Sequence, residues 1–139
     1  KIIKKTACIA MQLVWFSSKM KITGNKNHFL NLAEFQIDGK AVKEDDRYVV
    51  KDNITLKNLV LSSTRLKSKK ETTGHNHSGQ EEVYFFISGQ GEMQLNDDKF
   101  SVDPGDIVLV KDDVFHKVYN PSDDEELYFI CVLRGARHE

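Results

Sequence analysis

The stretch Gly74-His75-Asn76-His77-Ser78-Gly79-Gln80-Glu81-Glu82-Val83-Tyr84-Phe85-Phe86-Ile87-Ser88-Gly89 decides how this chain of 139 residues is read. Its histidines stand at i and i+2. In an extended backbone that spacing puts both imidazoles on one face, close enough to grip one ion. The pair Glu81-Glu82 opens the apolar run that follows. If Val83 to Ile87 is a strand antiparallel to the histidine segment, a carboxylate at its start returns beside the imidazoles. A fourth ligand lies further on. Gly105 to Val110 reads as a buried strand and runs through the polar turn Lys111-Asp112-Asp113 into Val114-Phe115-His116-Lys117-Val118-Tyr119-Asn120. There His116 shares a face with Val114, Val118 and Asn120 if the run is extended.

Outward from these segments the chain reads as β from Arg47 on. Tyr48 to Val50 and the long run Ile54 to Leu66 are strand material, with Asp52-Asn53 as a turn between them. Lys67 to Glu71 is a polar loop. Gly89-Gln90-Gly91 is a tight turn that two glycines permit. Strands follow at Glu92 to Leu95 and Lys99 to Val102, separated by Asn96-Asp97-Asp98. Asp103-Pro104-Gly105-Asp106 and Asn120-Pro121-Ser122 are further turns. Leu127 to Leu133 is apolar on both faces and therefore buried. Short strands at near-regular spacing mean a sandwich or barrel, so the fold class is all-β.

The N-terminal part differs. Lys1 to Lys5 is basic and leads into the apolar run Thr6 to Phe16, too short to span a bilayer as a helix. No small-x-small cleavage site follows. Residues 1–26 are therefore expected to be an extension or edge strand, with Ala7 to Phe16 as a place of contact between subunits. An alternative start at Met20 stays open, which would make residues 1–19 an upstream extension. Phe29, Leu32 and Phe35 fall three apart, so the spacing predicts a short helix or turn over Asn27 to Asp38. Residues 27–139 then form a single domain.

The net charge is −1, with no long basic run, which argues against nucleic acid or an anionic membrane as partner. Cys8 and Cys131 both lie in apolar runs and read as reduced core thiols of a cytoplasmic protein.

The two histidine segments resemble the cupin family. Its first motif places Gly within five residues of His-x-His, then Glu after three or four residues, then Gly after six. His75, His77, four residues, Glu82, six residues and Gly89 match it, and the gap to Gly89 selects Glu82 over Glu81. The second motif has Gly, five residues, Pro-x-Gly, two residues, His, three residues, Asn. Gly105, His116 and Asn120 are in register with it, whereas Lys111 stands in place of the Pro and Asp113 in place of the Gly. The resemblance spans roughly residues 54–134. It implies a double-stranded β-helix, or jelly-roll barrel, and a homodimer.

His75, His77, Glu82 and His116 are thus the expected metal ligands. Three imidazoles and one carboxylate suit Fe, Mn, Ni, Co, Cu or Zn rather than Ca or Mg. Strand alternation adds Tyr84 and Phe86 to the face of Glu82, and Val118 to that of His116. Tyr84 and Glu81 are the candidate catalytic groups, and Arg65, Phe86 and Val118 the candidate substrate contacts. Arg65, Lys69 or Lys70 would receive a phosphate or carboxylate. Three functions fit. The first is an isomerase or epimerase acting on a sugar or sugar phosphate, a branch that the Gly-x-His-x-His and Glu-Glu-Val-Tyr stretch resembles. The second is a mononuclear non-heme dioxygenase. The third is a non-catalytic module that binds a small carbohydrate.

Overall fold

The structure is a computed structural model that describes Ile37 and residues 39–135. The expectations for residues 1–26, Cys8 and Met20 lie outside the described residues, as does nearly all of the helix expected over 27–38. Every regular element among the described residues is a strand: β1 (Lys40–Glu44), β2 (Tyr48–Asn53), β3 (Leu59–Leu66), β4 (Glu82–Ser88), β5 (Gly91–Leu95), β6 (Asp98–Val102), β7 (Ile107–Val110), β8 (His116–Tyr119) and β9 (Leu127–Arg134). None of these residues forms a helix long and apolar enough to cross a membrane.

Side-chain alternation explains the layers. In β2, β4 and β8 every second residue is buried, and in β3 Val60, Ser62, Thr64 and Leu66 point inward. Two sheets receive these faces. One has six strands in the order β1-β2-β3-β9-β4-β7, the other three in the order β6-β5-β8, and all pairings are antiparallel. Tyr48, Val50, Leu66, Tyr84, Phe86, Met93, Val118, Leu127 and Phe129 pack between them as the main core. β9 is the spine of the larger sheet, flanked by β3 and β4. That position explains its continuous apolar sequence, because a second cluster of Ile37, Tyr128 and Ile130 covers its outer face. This is the jelly-roll arrangement that the sequence resemblance implies.

Three local expectations change. Asp52 and Asn53 belong to β2, in register with Ser62 and Leu61, so the turn falls later, at residues 54–58. Among the described residues β7 pairs only with β4 at the edge of its sheet, and Ile107 and Leu109 are 59% and 67% exposed, so it is not a buried strand. The histidine segment is not a regular strand either. It touches β8 through two isolated bridges, Glu71 with Tyr119 and His75 with His116. β4 pairs with β7 and β9 rather than with that segment.

The turns follow their residues. Pro104 and Gly105 occupy the central positions of a turn closed by Asp106 N donating to Asp103 O at 3.0 Å, and Gly105 has φ +97°, the type II arrangement. Gly89 has φ +80° and lies against the Glu126 carbonyl, where any Cβ would collide.

A candidate metal centre in the barrel

The four candidate ligands reach the site from three parts of the fold. His75 is held by a two-way backbone bridge to β8: His116 N donates to His75 O at 2.9 Å and His75 N donates to His116 O at 3.2 Å. His77 follows on the same segment, and Asp113 N donates to its carbonyl at 2.9 Å. Glu82 begins β4 with its side chain inward, in register with Val110 and Leu133. His116 begins β8, opposite Leu95. One ligating atom from each of the four lies within 4.8 Å of every other.

Ring orientation is fixed from behind. Thr73 O accepts from His75 Nδ1 at 3.0 Å, and Val114 O accepts from His116 Nδ1 at 3.0 Å. A carbonyl accepts only from N–H, so both rings carry their proton on Nδ1 and present the Nε2 lone pair. The Nε2 of His116 is buried without a hydrogen-bond partner among the described residues. It stands 3.5 Å from Glu82 Oε2, and His77 Nε2 stands 3.2 Å from Glu82 Oε1. Burial pushes His116 below the ordinary histidine value of 6.5, against the Val114 carbonyl and the Glu82 charge, with His75 and His77 acting in the same direction as burial. A neutral imidazole with a bare, buried nitrogen is a group prepared for a cation.

The donor set fits a transition metal. Bonds of about 2.0–2.2 Å keep ligand atoms within roughly 4.4 Å of one another, so small side-chain movements close the cluster on one ion. Glu82 and His116 are 6% and 2% exposed, while His75 is exposed. The centre is thus closed on the barrel side and open towards a cavity of about 680 Å³.

Tyr84 and Val118 line that cavity beside the ligands, and the Tyr84 ring packs against His116 with centroids 5.8 Å apart. Phe86 shares the inward face of Glu82, yet it lies deeper, 1% exposed against Phe129, and does not line the cavity. Glu81 is exposed and Arg65 points outward, since alternation sends each to the face opposite its inward neighbour. Arg65 pairs with Glu126 at 3.3 Å and lies over the Tyr128 ring. Lys69 pairs with Asp123 and Lys70 with Asp46, also outside the cavity lining.

Several lining residues have no warning in the sequence pattern. Cys131 Sγ–H donates to Glu82 Oε2 at 3.2 Å. Its inward face is hidden in the sequence because β9 is apolar on both sides. Tyr48, Lys43, Thr73 and Lys117 also line the cavity. Alternation along Tyr48-Val49-Val50 marks Tyr48 as inward, but only the sheet order places it near the histidines.

A double-stranded β-helix with three histidines and a glutamate gathered at the mouth of its barrel defines a class of protein able to hold a metal ion. The chain matches the model of the cupin domain over residues 63–133, and it belongs to the cupin family. It is 27% identical over 103 residues to the uncharacterized protein MJ1618 of Methanocaldococcus jannaschii, covering 66% of this chain and 82% of that one. Among solved structures it is similar to KdgF from Halomonas sp., with TM-score 0.62, 18% identity and coverage of 73% and 90% of the two chains. It is also similar to a protein of Acidithiobacillus ferrooxidans provisionally assigned as a sugar phosphate isomerase, with TM-score 0.56, 22% identity and coverage of 63% and 60%. At these identities the structural likeness is one of fold.

Proposed function

We propose that this cupin holds one divalent transition metal through His75, His77, Glu82 and His116, and that it acts on a small metabolite such as a sugar or sugar phosphate as an isomerase or epimerase. The observation that carries the reading is the buried, bare Nε2 of His116 among three other donors at the mouth of the 680 Å³ cavity. The provisional assignment of the Acidithiobacillus protein supports the substrate class. When bound, the metal supplies Lewis-acid stabilisation of a developing enediolate oxygen. The chain supplies the rest. Glu81 is exposed and outside the cavity lining, so of the two candidate catalytic groups Tyr84, which lines the cavity against the His116 ring, is the one placed to hydrogen-bond a substrate oxygen or to move a proton there. Val50, Val118, Phe129 and Leu133 give the cavity an apolar wall that limits water.

That apolar wall also favours a second reading, a mononuclear dioxygenase with iron. A binding module for a small carbohydrate is the third. Elemental analysis of untagged protein beside His75→Ala and His116→Ala variants tests the metal. About one Fe, Mn, Ni, Co, Cu or Zn per chain, lost in the variants, is expected. No metal after reconstitution removes both enzyme readings. Turnover without O₂ on Mn, Zn or Co separates the isomerase from the dioxygenase, and a thermal shift with sugar alone marks the binding module. From the resemblance and the composition, we also propose a cytoplasmic homodimer whose partners are small molecules, neither nucleic acid nor membrane. A monomer mass in sedimentation equilibrium would end the dimer proposal.

A further inference from the structure

We propose that the cavity takes a small anionic metabolite whose phosphate or carboxylate group docks at a rim subsite made by Lys43, Tyr48 and Thr73. This deepens the metal-centre reading, which it needs only for the other end of the ligand.

The subsite begins with an irregularity. The β1–β2 register shifts between Ala41 and Lys43, a bulge at Val42. In a regular strand Val42 and Lys43 would face opposite ways, yet both line the cavity. The bulge thus aims a lysine at the cavity from an edge strand whose residues are all exposed. Lys43 Nζ stands 5.2 Å from the Tyr48 ring centroid, and among the described residues it makes no ion pair. The Tyr48 hydroxyl, on a residue 3% exposed, lies 3.3 Å from Thr73 Oγ1 and accepts from Arg47 Nη2 at 3.3 Å. Arg47 Nη1 also donates to Thr73 Oγ1 at 3.1 Å. Burial alone would raise the Tyr48 phenol, but hydrogen bonds from Lys43 and Thr73 and the charges of Lys43 and Arg47 outweigh it and lower it. The corner therefore favours negative charge.

The charge of the whole cavity points the same way. Among the described residues its lining carries Lys43 and Lys117 against one carboxylate, Glu82, which the metal would neutralise. Lys117 is held by Glu71 at 2.6 Å and Arg47 by Asp45 at 2.7 Å, which leaves Lys43 as the lysine of the lining without an acidic partner among the described residues. Thr73 joins the two ends, since its carbonyl orients His75 while its hydroxyl meets Tyr48. A ligand chelated at the histidines would extend along this wall towards the lysine.

Calorimetric titration of inorganic phosphate, and separately of acetate, into the full metal-loaded chain tests the subsite. Binding should weaken with added salt. Lys43→Ala should lower affinity about tenfold, as expected for a lost charge-assisted hydrogen bond, and Tyr48→Phe by a smaller factor. Lys40→Ala removes the same charge from the same exposed strand outside the cavity and should change nothing. Metal-stripped protein and His75→Ala should keep the Lys43-dependent binding. The better-held anion names the oxyanion. An affinity insensitive to Lys43→Ala, reduced equally by Lys40→Ala, or lost only with the metal would overturn the subsite, and so would no binding at all. Metal content measured on the same samples separates the two readings. A chain that takes up no metal on reconstitution yet keeps Lys43-dependent binding sinks the metalloenzyme and leaves the subsite standing, while bound metal without Lys43 dependence does the reverse.

Discussion

Glu82 is gripped on both sides. Cys131 donates to its Oε2 at 3.2 Å, and His77 and His116 face its two oxygens. A hydrogen bond behind a ligating carboxylate fixes its orientation, and losing such a partner typically costs metal affinity 10–100-fold, so Cys131→Ala should weaken binding at least about tenfold and Cys131→Ser should recover much of it. Competition with a chromogenic chelator gives the numbers. In the same assay Glu82→Ala should lose most of the affinity and Glu81→Ala little, and equal losses would show the wrong strand register. The pH dependence belongs to His116. Its pKa in the folded, metal-free chain lies below the unfolded value near 6.5, so the unfolded chain binds more protons as pH falls through that value. Stability of the metal-free protein should therefore drop from pH 7 towards pH 5, and a thermal-melt series should show a shallower drop for His116→Asn. The choice of Glu82 over Glu81 was legible in the sequence, because the spacing to Gly89 names it. The role of Cys131 was not, since it depends on which strand lies beside β4.

The turn at residues 111–113 shows how an element absorbs a departure from its family pattern. Asp113 stands where the motif has glycine, and its φ is +59°, the left-handed region that glycine occupies freely and Asp tolerates. The aspartate adds what glycine lacks: its Oδ1 accepts from Asn76 Nδ2 at 2.6 Å, between His75 and His77. Asp112 Oδ1 accepts from Gly79 N in the same way. Asp113→Gly should keep the turn and loosen the histidine segment, with metal affinity reduced more than stability. Asp113→Val should cost about 1–2 kcal/mol of stability, since a β-branched residue resists positive φ. Urea titration and chelator competition on both variants separate the effects. Asn120, the last motif residue, is 2% exposed and donates from Nδ2 to Leu66 O at 3.0 Å and to Glu125 O at 2.8 Å. Its place in the motif is thus a structural one, and Asn120→Ala should lower stability rather than metal content, since it strands buried carbonyls. Strand existence was legible from alternation from Tyr48 on, whereas β1, exposed at every position, has no alternation to announce it. Strand ends were less so, because Asp52 and Asn53 have the composition of a turn while the pairing with β3 holds them extended.

At the scale of the molecule the four candidate ligands come from both sheets. Glu82 belongs to the six-stranded sheet, His116 to the three-stranded one, and His75 and His77 to the segment bridged to β8. An ion bound at all four would join the layers, and only the folded chain presents it with this set. Metal at about a hundred times its dissociation constant adds roughly 2.7 kcal/mol to stability, or roughly 10 °C in Tm for a domain of this size. Scanning calorimetry with and without chelator should show that shift in the natural sequence and none in His116→Ala.

The sequence by itself determined the fold class and nominated the four candidate ligands that the fold brings within 4.8 Å of one another, because alternation and fixed spacings are local properties of the chain. Tertiary structure alone decided what surrounds the ligands. Cys131 and Glu82 are 49 positions apart, Tyr48 and Thr73 25 apart, and each pair meets only through the order in which strands join the sheets. It also set aside Arg65 and brought in Lys43, since a cavity-facing charge depends on a bulge and a register that no run of residues announces. Short-range pattern thus nominates the candidate site, and long-range pairing decides what surrounds it.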